Sequence, residues 1–224
     1  MNCVYVHPTK TGVDILATNE TIMYRARAKV RVVQEPVPFP IFLVSLLGSG
    51  GLKAIEWRKD LVALKYGSGE IWQSVSAKAQ KLFPKSSIEQ YIAEGSRRPL
   101  LFRVSSRKFA RIVSRMALYV SAVRRADWVL SVKGFKGKNR ILLESRIANT
   151  TFKEALVVDG ELTSTFEISW PLEMLLPIFE FIEKKNKEVP LEVRLWESKS
   201  QKKAVLASYI KTGDIELIVP SRKV

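Results

Sequence analysis

The chain has 224 residues, 46% of them hydrophobic, and carries 37 basic against 22 acidic side chains for a formal net charge of +15. That apolar fraction supports one large or two ordinary domains and excludes wholesale disorder, while the charge points to nucleic acid or an anionic membrane surface as partner. The single cysteine, Cys3, excludes an internal disulfide and any cysteine-based zinc site, and no apolar run reaches the roughly 18 residues that span a bilayer. This composition suits a reducing, cytoplasmic interior.

Residues 2–7 and 13–18 alternate apolar and polar positions around Pro8-Thr9-Lys10-Thr11-Gly12, the pattern of a hairpin. Residues 21–33 have stretches of period two, which set Arg25, Arg27, Lys29 and Arg31 along one strand face, read as a solvated sheet face. The proline-rich residues 35–40 are expected to break the sheet. A short apolar helix at 41–47 follows, ended by Gly48-Ser49-Gly50-Gly51. These glycines follow a helix and lack the lysine of a phosphate loop, so they read as a cap and turn. Strands at 52–57, 61–66 and 70–76 complete the first half. Residues 77–99 lose periodicity, gather polar residues, Gly95 and two prolines, and read as the linker between domains at 1–96 and 97–224.

The second half opens with a strand at 100–104 and a helix at 106–120. Strands at 128–133 and 140–145 flank a glycine- and lysine-rich turn, and strands at 152–158 and 164–169 follow. A helix at 171–184 starts on a proline, and Pro177 is expected to kink or interrupt it. Three strands, 189–197, 204–209 and 215–219, close the chain. Each half ends in a short helix that begins at proline and then three strands, so the chain reads as a duplicated α+β unit with antiparallel meanders.

The stretch from Arg103 to Arg125 holds seven basic residues (Arg103, Arg107, Lys108, Arg111, Arg115, Arg124, Arg125) and no acid. Within it Phe109, Ile112, Val113, Met116 and Val120 share one apolar helical face, and Arg107, Arg111 and Arg115 step by four along the opposite one. Like charges at that spacing cost a few tenths of a kcal/mol each, so a polyanion is expected to supply the missing charge. Lys184 and Lys185 end an otherwise acidic helix bearing Glu173, Glu180 and Glu183.

Chemistry is sparse elsewhere. His7, the one histidine, precedes Pro8 and has no second histidine at metal spacing and no nucleophile with an acidic orienter, which makes it a surface residue. Acids are scattered, and no phosphate loop or dinucleotide fingerprint appears. No enzymatic activity, metal or cofactor is expected.

Three ordered motifs carry a family resemblance. Leu16-Ala17-Thr18-Asn19 before a strand resembles the "L-x-A-T-D" of bacterial β clamps. Lys81-Leu82-Phe83-Pro84 resembles that family's "F-P" ahead of the inter-domain connector, and Ile215 to Pro220 with Ser221-Arg222 resembles its closing strand and "M-P-x-R". The chain thus resembles the DNA polymerase sliding clamps of bacteria, phages and archaea. The resemblance implies a duplicated clamp fold, with antiparallel sheets outside and helices lining a channel. It implies a ring closed by six domains, hence a homotrimer of this two-domain chain encircling double-stranded DNA, with a DNA polymerase and a clamp loader as protein partners and no membrane. Arg103, Arg107, Lys108, Arg111, Arg115, Arg124, Arg125, Lys184 and Lys185 would then meet DNA phosphates. The partner pocket would draw on Thr18, Ile22, Met23, Leu217, Val219, Pro220 and Arg222.

Departures from the family are specific. Met1 stands almost directly before the first strand, so either the first repeat is expected to lack the family's opening helix, with a thinner inner wall at three places in the ring, or the start lies further upstream. Asn19 replaces an aspartate, Glu20 replaces a usual glycine, and the glutamates of helix 171–184 would line a channel poorly. The surplus charge also fits a clamp-fold DNA-binding subunit that does not close into a ring. A basic RNA-binding structural protein is the third reading, against which Trp57, Trp72, Trp128 and Trp196 all fall in strand patterns directed at a core. The expected location is the cytoplasm, at the nucleoid or in a host cell if the chain is viral.

Overall fold

Period-two alternation builds sheet in both halves of the chain, and the pairing of the strands repeats. The computed structural model describes residues 3–18, 22–28, 37–40, 52–58, 61–74, 83–121, 129–147, 150–184, 188–200 and 203–223. The expected helix at 41–47, its glycine cap, and the first residues of the expected linker lie outside them. Two compact units divide the chain, Met1–Tyr91 and Ile92–Val224.

The first unit contains strands β1 (Cys3–Thr9), β2 (Gly12–Thr18), β3 (Met23–Ala28), β4 (Val37–Pro40), β5 (Leu52–Arg58), β6 (Leu61–Tyr66) and β7 (Gly69–Ser74). Strand β1 pairs antiparallel with both β2 and β4, β2 pairs with β3, and β5, β6 and β7 form a meander. The proline-rich segment therefore joins the sheet instead of breaking it, with Tyr5 opposite Pro38 and Cys3 opposite Pro40. Proline has no N–H to donate, but β4 is the last strand in its sheet among the described residues. Prolines two residues apart share one side of a strand, and an outermost strand needs donors on one side only.

The second unit contains β8 (Leu100–Ser105), β9 (Val129–Gly134), β10 (Arg140–Ile147), β11 (Thr150–Val157), β12 (Phe166–Pro171), β13 (Pro190–Ser200), β14 (Lys203–Thr212) and β15 (Ile215–Lys223). Strand β9 pairs with β10 and β12, β10 pairs with β11, and β13, β14 and β15 form a meander. That is the pairing scheme of the first unit, strand for strand, which establishes the duplication. Additional β12–β15 and β8–β13 pairs join these strands into one antiparallel sheet.

Three helices are described: α1 (Lys85–Ser96), α2 (Ser106–Ser121) and α3 (Leu172–Lys184). Helix α1 occupies much of the stretch expected to be linker. Its Ile88, Ile92 and Gly95 are buried at i, i+4 and i+7, and a glycine in the third place gives the sequence little apolar signal. Glycine is required there, because an added Cβ would lie 2.7 Å from the Tyr209 Cβ and 2.8 Å from the Trp196 ring. Helix α3 runs unbroken through Pro177, contrary to the expected interruption.

The second unit's core lies between its sheet and helices α2 and α3. Phe109, Ile112, Val113 and Met116 of α2 meet Leu172, Leu175, Phe179 and Ile182 of α3 in a buried layer over Leu130, Val132, Ile141 and Ile168 of the sheet. Phe109 anchors it, with ring centroids 5.1 Å from Phe179 and 6.2 Å from Trp170. The buried Trp170 indole N–H is shared by the Ser208 and Ser221 hydroxyl oxygens at 2.9 and 3.0 Å, so this polar group is satisfied inside the core. On the other sheet face, Lys153, Glu144, Lys133 and Glu167 form a ladder of ion pairs across four strands. No helix among the described residues is long and apolar enough to cross a membrane.

Candidate nucleic-acid interface

Helix α2 starts where its sequence provides a cap: the Ser105 hydroxyl oxygen accepts a hydrogen bond from the Lys108 amide at 3.3 Å. The apolar positions predicted at Phe109, Ile112, Val113 and Met116 are buried, while Lys108, Arg111 and Arg115 are exposed and Arg107 is half-buried. The side chain of Val120 lies outside the described residues. No acid stands in the first turn and no base in the last. Arg107 and Lys108 thus sit at the positive end of the helix dipole, where a cation costs about 0.3–1 kcal/mol. These charges do not serve the helix that carries them.

The neighbourhood of the arginines is less one-sided than the sequence suggests. Arg115 is hydrogen-bonded to Glu154 of β11, and the Arg111 Nε lies 3.9 Å from Glu183 of α3. Acids distant in sequence therefore supply part of the charge that a polyanion was expected to provide. Arg107, Lys108 and Lys184 make no ion pair among the described residues. Arg103 stands on β8, where it donates to Glu192 at 2.6 Å, and Arg194 donates to the same carboxylate at 3.1 Å. Burial alone would push the Glu192 carboxyl up, but the two guanidinium groups outweigh it and hold the pKa below the ordinary glutamate value. Arg124, Arg125 and Lys185 lie outside the described residues.

Between α2 and α3 runs an open groove of about 640 Å³. Arg107, Arg111, Ser114 and Leu118 line one bank; Leu176, Glu180, Glu183 and Lys184 line the other. The Arg107 Nε and Ser114 Oγ are shielded from solvent and have no hydrogen-bond partner among the described residues. Leu118, an apolar residue with 74% exposure, continues the stripe of Arg107, Arg111 and Ser114. The sequence contains this signal, since residues 107, 111, 114 and 118 are spaced by four, three and four. The opposite bank is not legible without the fold.

The pocket residues expected from the resemblance divide by burial, each within its own unit. Ile22, Leu217 and Val219 are buried, whereas Thr18, Met23 and Pro220 keep partial surface. Arg222 pairs through its backbone with Ser169. Of the tryptophans expected in the core, Trp196 is 5% exposed, but Trp72 is 41% exposed, with its indole donating to Glu70 at 3.0 Å. Trp57 has no described side chain, and Trp128 lies outside the described residues. His7 is not a plain surface residue: the Lys85 ammonium sits 3.2 and 3.3 Å from its two ring nitrogens, beside the Tyr5–Phe83 stack. Among the described residues no three His, Cys, Asp or Glu side chains converge to hold a metal.

No family model matches the sequence, and no curated protein matches it. Solved structures do match the fold over the whole chain. A DNA polymerase sliding clamp from Caulobacter crescentus superposes with a TM-score of 0.67 at 16% identity, and one from Bacillus subtilis with 0.66 at 14%. A putative DNA polymerase III beta subunit from Eubacterium rectale gives 0.71 at 10%. The chain spans 57–58% of the length of those three proteins. Its fold is that of the DNA polymerase sliding clamps, α+β and duplicated, as the motifs at Thr18, Phe83 and Pro220 led us to expect.

Proposed function

We propose that the chain is a DNA sliding clamp, a non-enzymatic processivity factor built from clamp-like domains at 1–96 and 97–224. The observation that carries this reading is the row Arg107, Lys108 and Arg111 on a helix packed over one sheet face, in a chain with the clamp fold and a net charge of +15. Guanidinium and ammonium groups on a helix surface meet phosphates without reading bases, so they hold duplex DNA and let it move. Arg115 and Lys184 extend the same field, and the sequence adds Arg124, Arg125 and Lys185 to the chain's positive charge.

In this reading three chains join head to tail, each rotated by ~120°, into a closed homotrimer around the duplex. A polymerase tail docks on the chain, a clamp loader opens the ring, and the site of action is the nucleoid or the equivalent cytoplasmic compartment of a host. The large positive charge favours a second arrangement, an unclosed clamp-fold subunit that stays on DNA by electrostatics alone.

Binding to a duplex oligonucleotide, followed against salt, tests the shared premise. Replacing Arg107, Lys108 and Arg111 by alanine is expected to flatten the log–log salt slope by about 0.9 for each lost phosphate contact. An unchanged slope removes α2 from the DNA site.

A further inference from the structure

We infer that Glu154 and Glu183 are built-in competitors for the DNA phosphates, holding Arg115 and Arg111 when the helical face is empty and yielding them when duplex arrives. The inference rests on the DNA-binding reading above and specifies how tightly that site grips. Glu154 comes from β11 and Glu183 from α3, so two different elements deliver a carboxylate to consecutive steps of one arginine row.

Exposure makes these pairs exchangeable. The Arg111 and Arg115 side chains are 55% and 51% exposed, and their glutamates 33% and 31%. Ion pairs this open to water are weak, so a phosphate can displace the carboxylate without disturbing the fold. Glu192 provides the contrast, at 18% exposure between Arg103 and Arg194, with both guanidinium groups hydrogen-bonded to it. Arg103 is held in place; Arg111 and Arg115 are on loan.

Displacement has two consequences for binding. Each freed carboxylate remains beside the DNA as a repelling charge and gathers a cation from solution, which offsets one counterion released from the duplex. Affinity and its salt dependence both fall below what the arginines alone would give. For a protein that must move along DNA, such a brake on grip keeps each phosphate contact short-lived.

The test measures duplex oligonucleotide binding across a salt series for the full chain and for Glu154→Gln, Glu183→Gln, Glu173→Gln and Arg111→Ala/Arg115→Ala. Glutamine keeps the side-chain shape. Glu173 is exposed in the first turn of α3 and pairs with no arginine among the described residues, so it controls for net charge. Glu154→Gln and Glu183→Gln are each expected to bind about two- to fivefold more tightly with a steeper salt slope, Glu154→Gln more than Glu183→Gln, because its pair is hydrogen-bonded. Glu173→Gln should change binding less than either.

Weaker binding by Glu154→Gln and Glu183→Gln would make the carboxylates supports for the arginines and overturn the inference. Equal gains from all three glutamine variants would reduce it to net charge. If the arginine double variant weakens binding while the glutamines change nothing, competition alone is wrong. If the double variant also binds normally, the DNA-binding reading of this helix falls first.

Discussion

Glu192 separates Arg103, an arginine held by the fold, from the more exposed Arg111 and Arg115. Its pKa is lowered in the folded chain because hydrogen bonds from Arg103 and Arg194 outweigh burial. A lowered carboxylate pKa contributes stability that is present above the unfolded value and is lost as pH falls through the folded one. The melting temperature should therefore drop on acidification below about pH 4.5, and less steeply in Glu192→Gln. Arg103→Ala should cost about 1 kcal/mol of stability after solvent screening, whereas Arg115→Ala, whose pair is more exposed, should cost little. Denaturant titration of the two variants checks this. At the same scale, Gly95→Ala forces a methyl against Tyr209 and Trp196 and should destabilise by about 1–3 kcal/mol.

Helix α2 makes the opposite prediction for stability and binding. Lys108 is exposed in the first turn, against the dipole, with no ion pair among the described residues. Lys108→Ala should raise stability by a few tenths to about 1 kcal/mol while weakening DNA binding. A loss of stability with unchanged binding would make Lys108 structural. This helix was legible in the sequence because five apolar residues keep its period over three turns. Helix α1 was not, since its buried positions are two isoleucines and a glycine among polar neighbours. Strand β4 was hidden by prolines, whose meaning depends on whether a strand is central or outermost, and that follows from pairing. The partners of Arg111 and Arg115 come from other elements, so no local pattern contains them.

At the scale of the molecule, the tethering proposed above has two modes that a physical test separates. A closed homotrimer has a mass of about 76 kDa, three times the 25.4 kDa chain, and light scattering distinguishes it from an unclosed monomer. Salt acts differently on the two arrangements. Phosphate contacts weaken steeply with ionic strength, but a ring that is topologically linked leaves only by opening or by sliding off an end. The most direct measurement is retention of the protein on a loaded circular plasmid at raised salt, before and after a single cut. Retention on the circle and rapid loss after linearisation is the predicted result; equal loss from both forms would contradict encirclement.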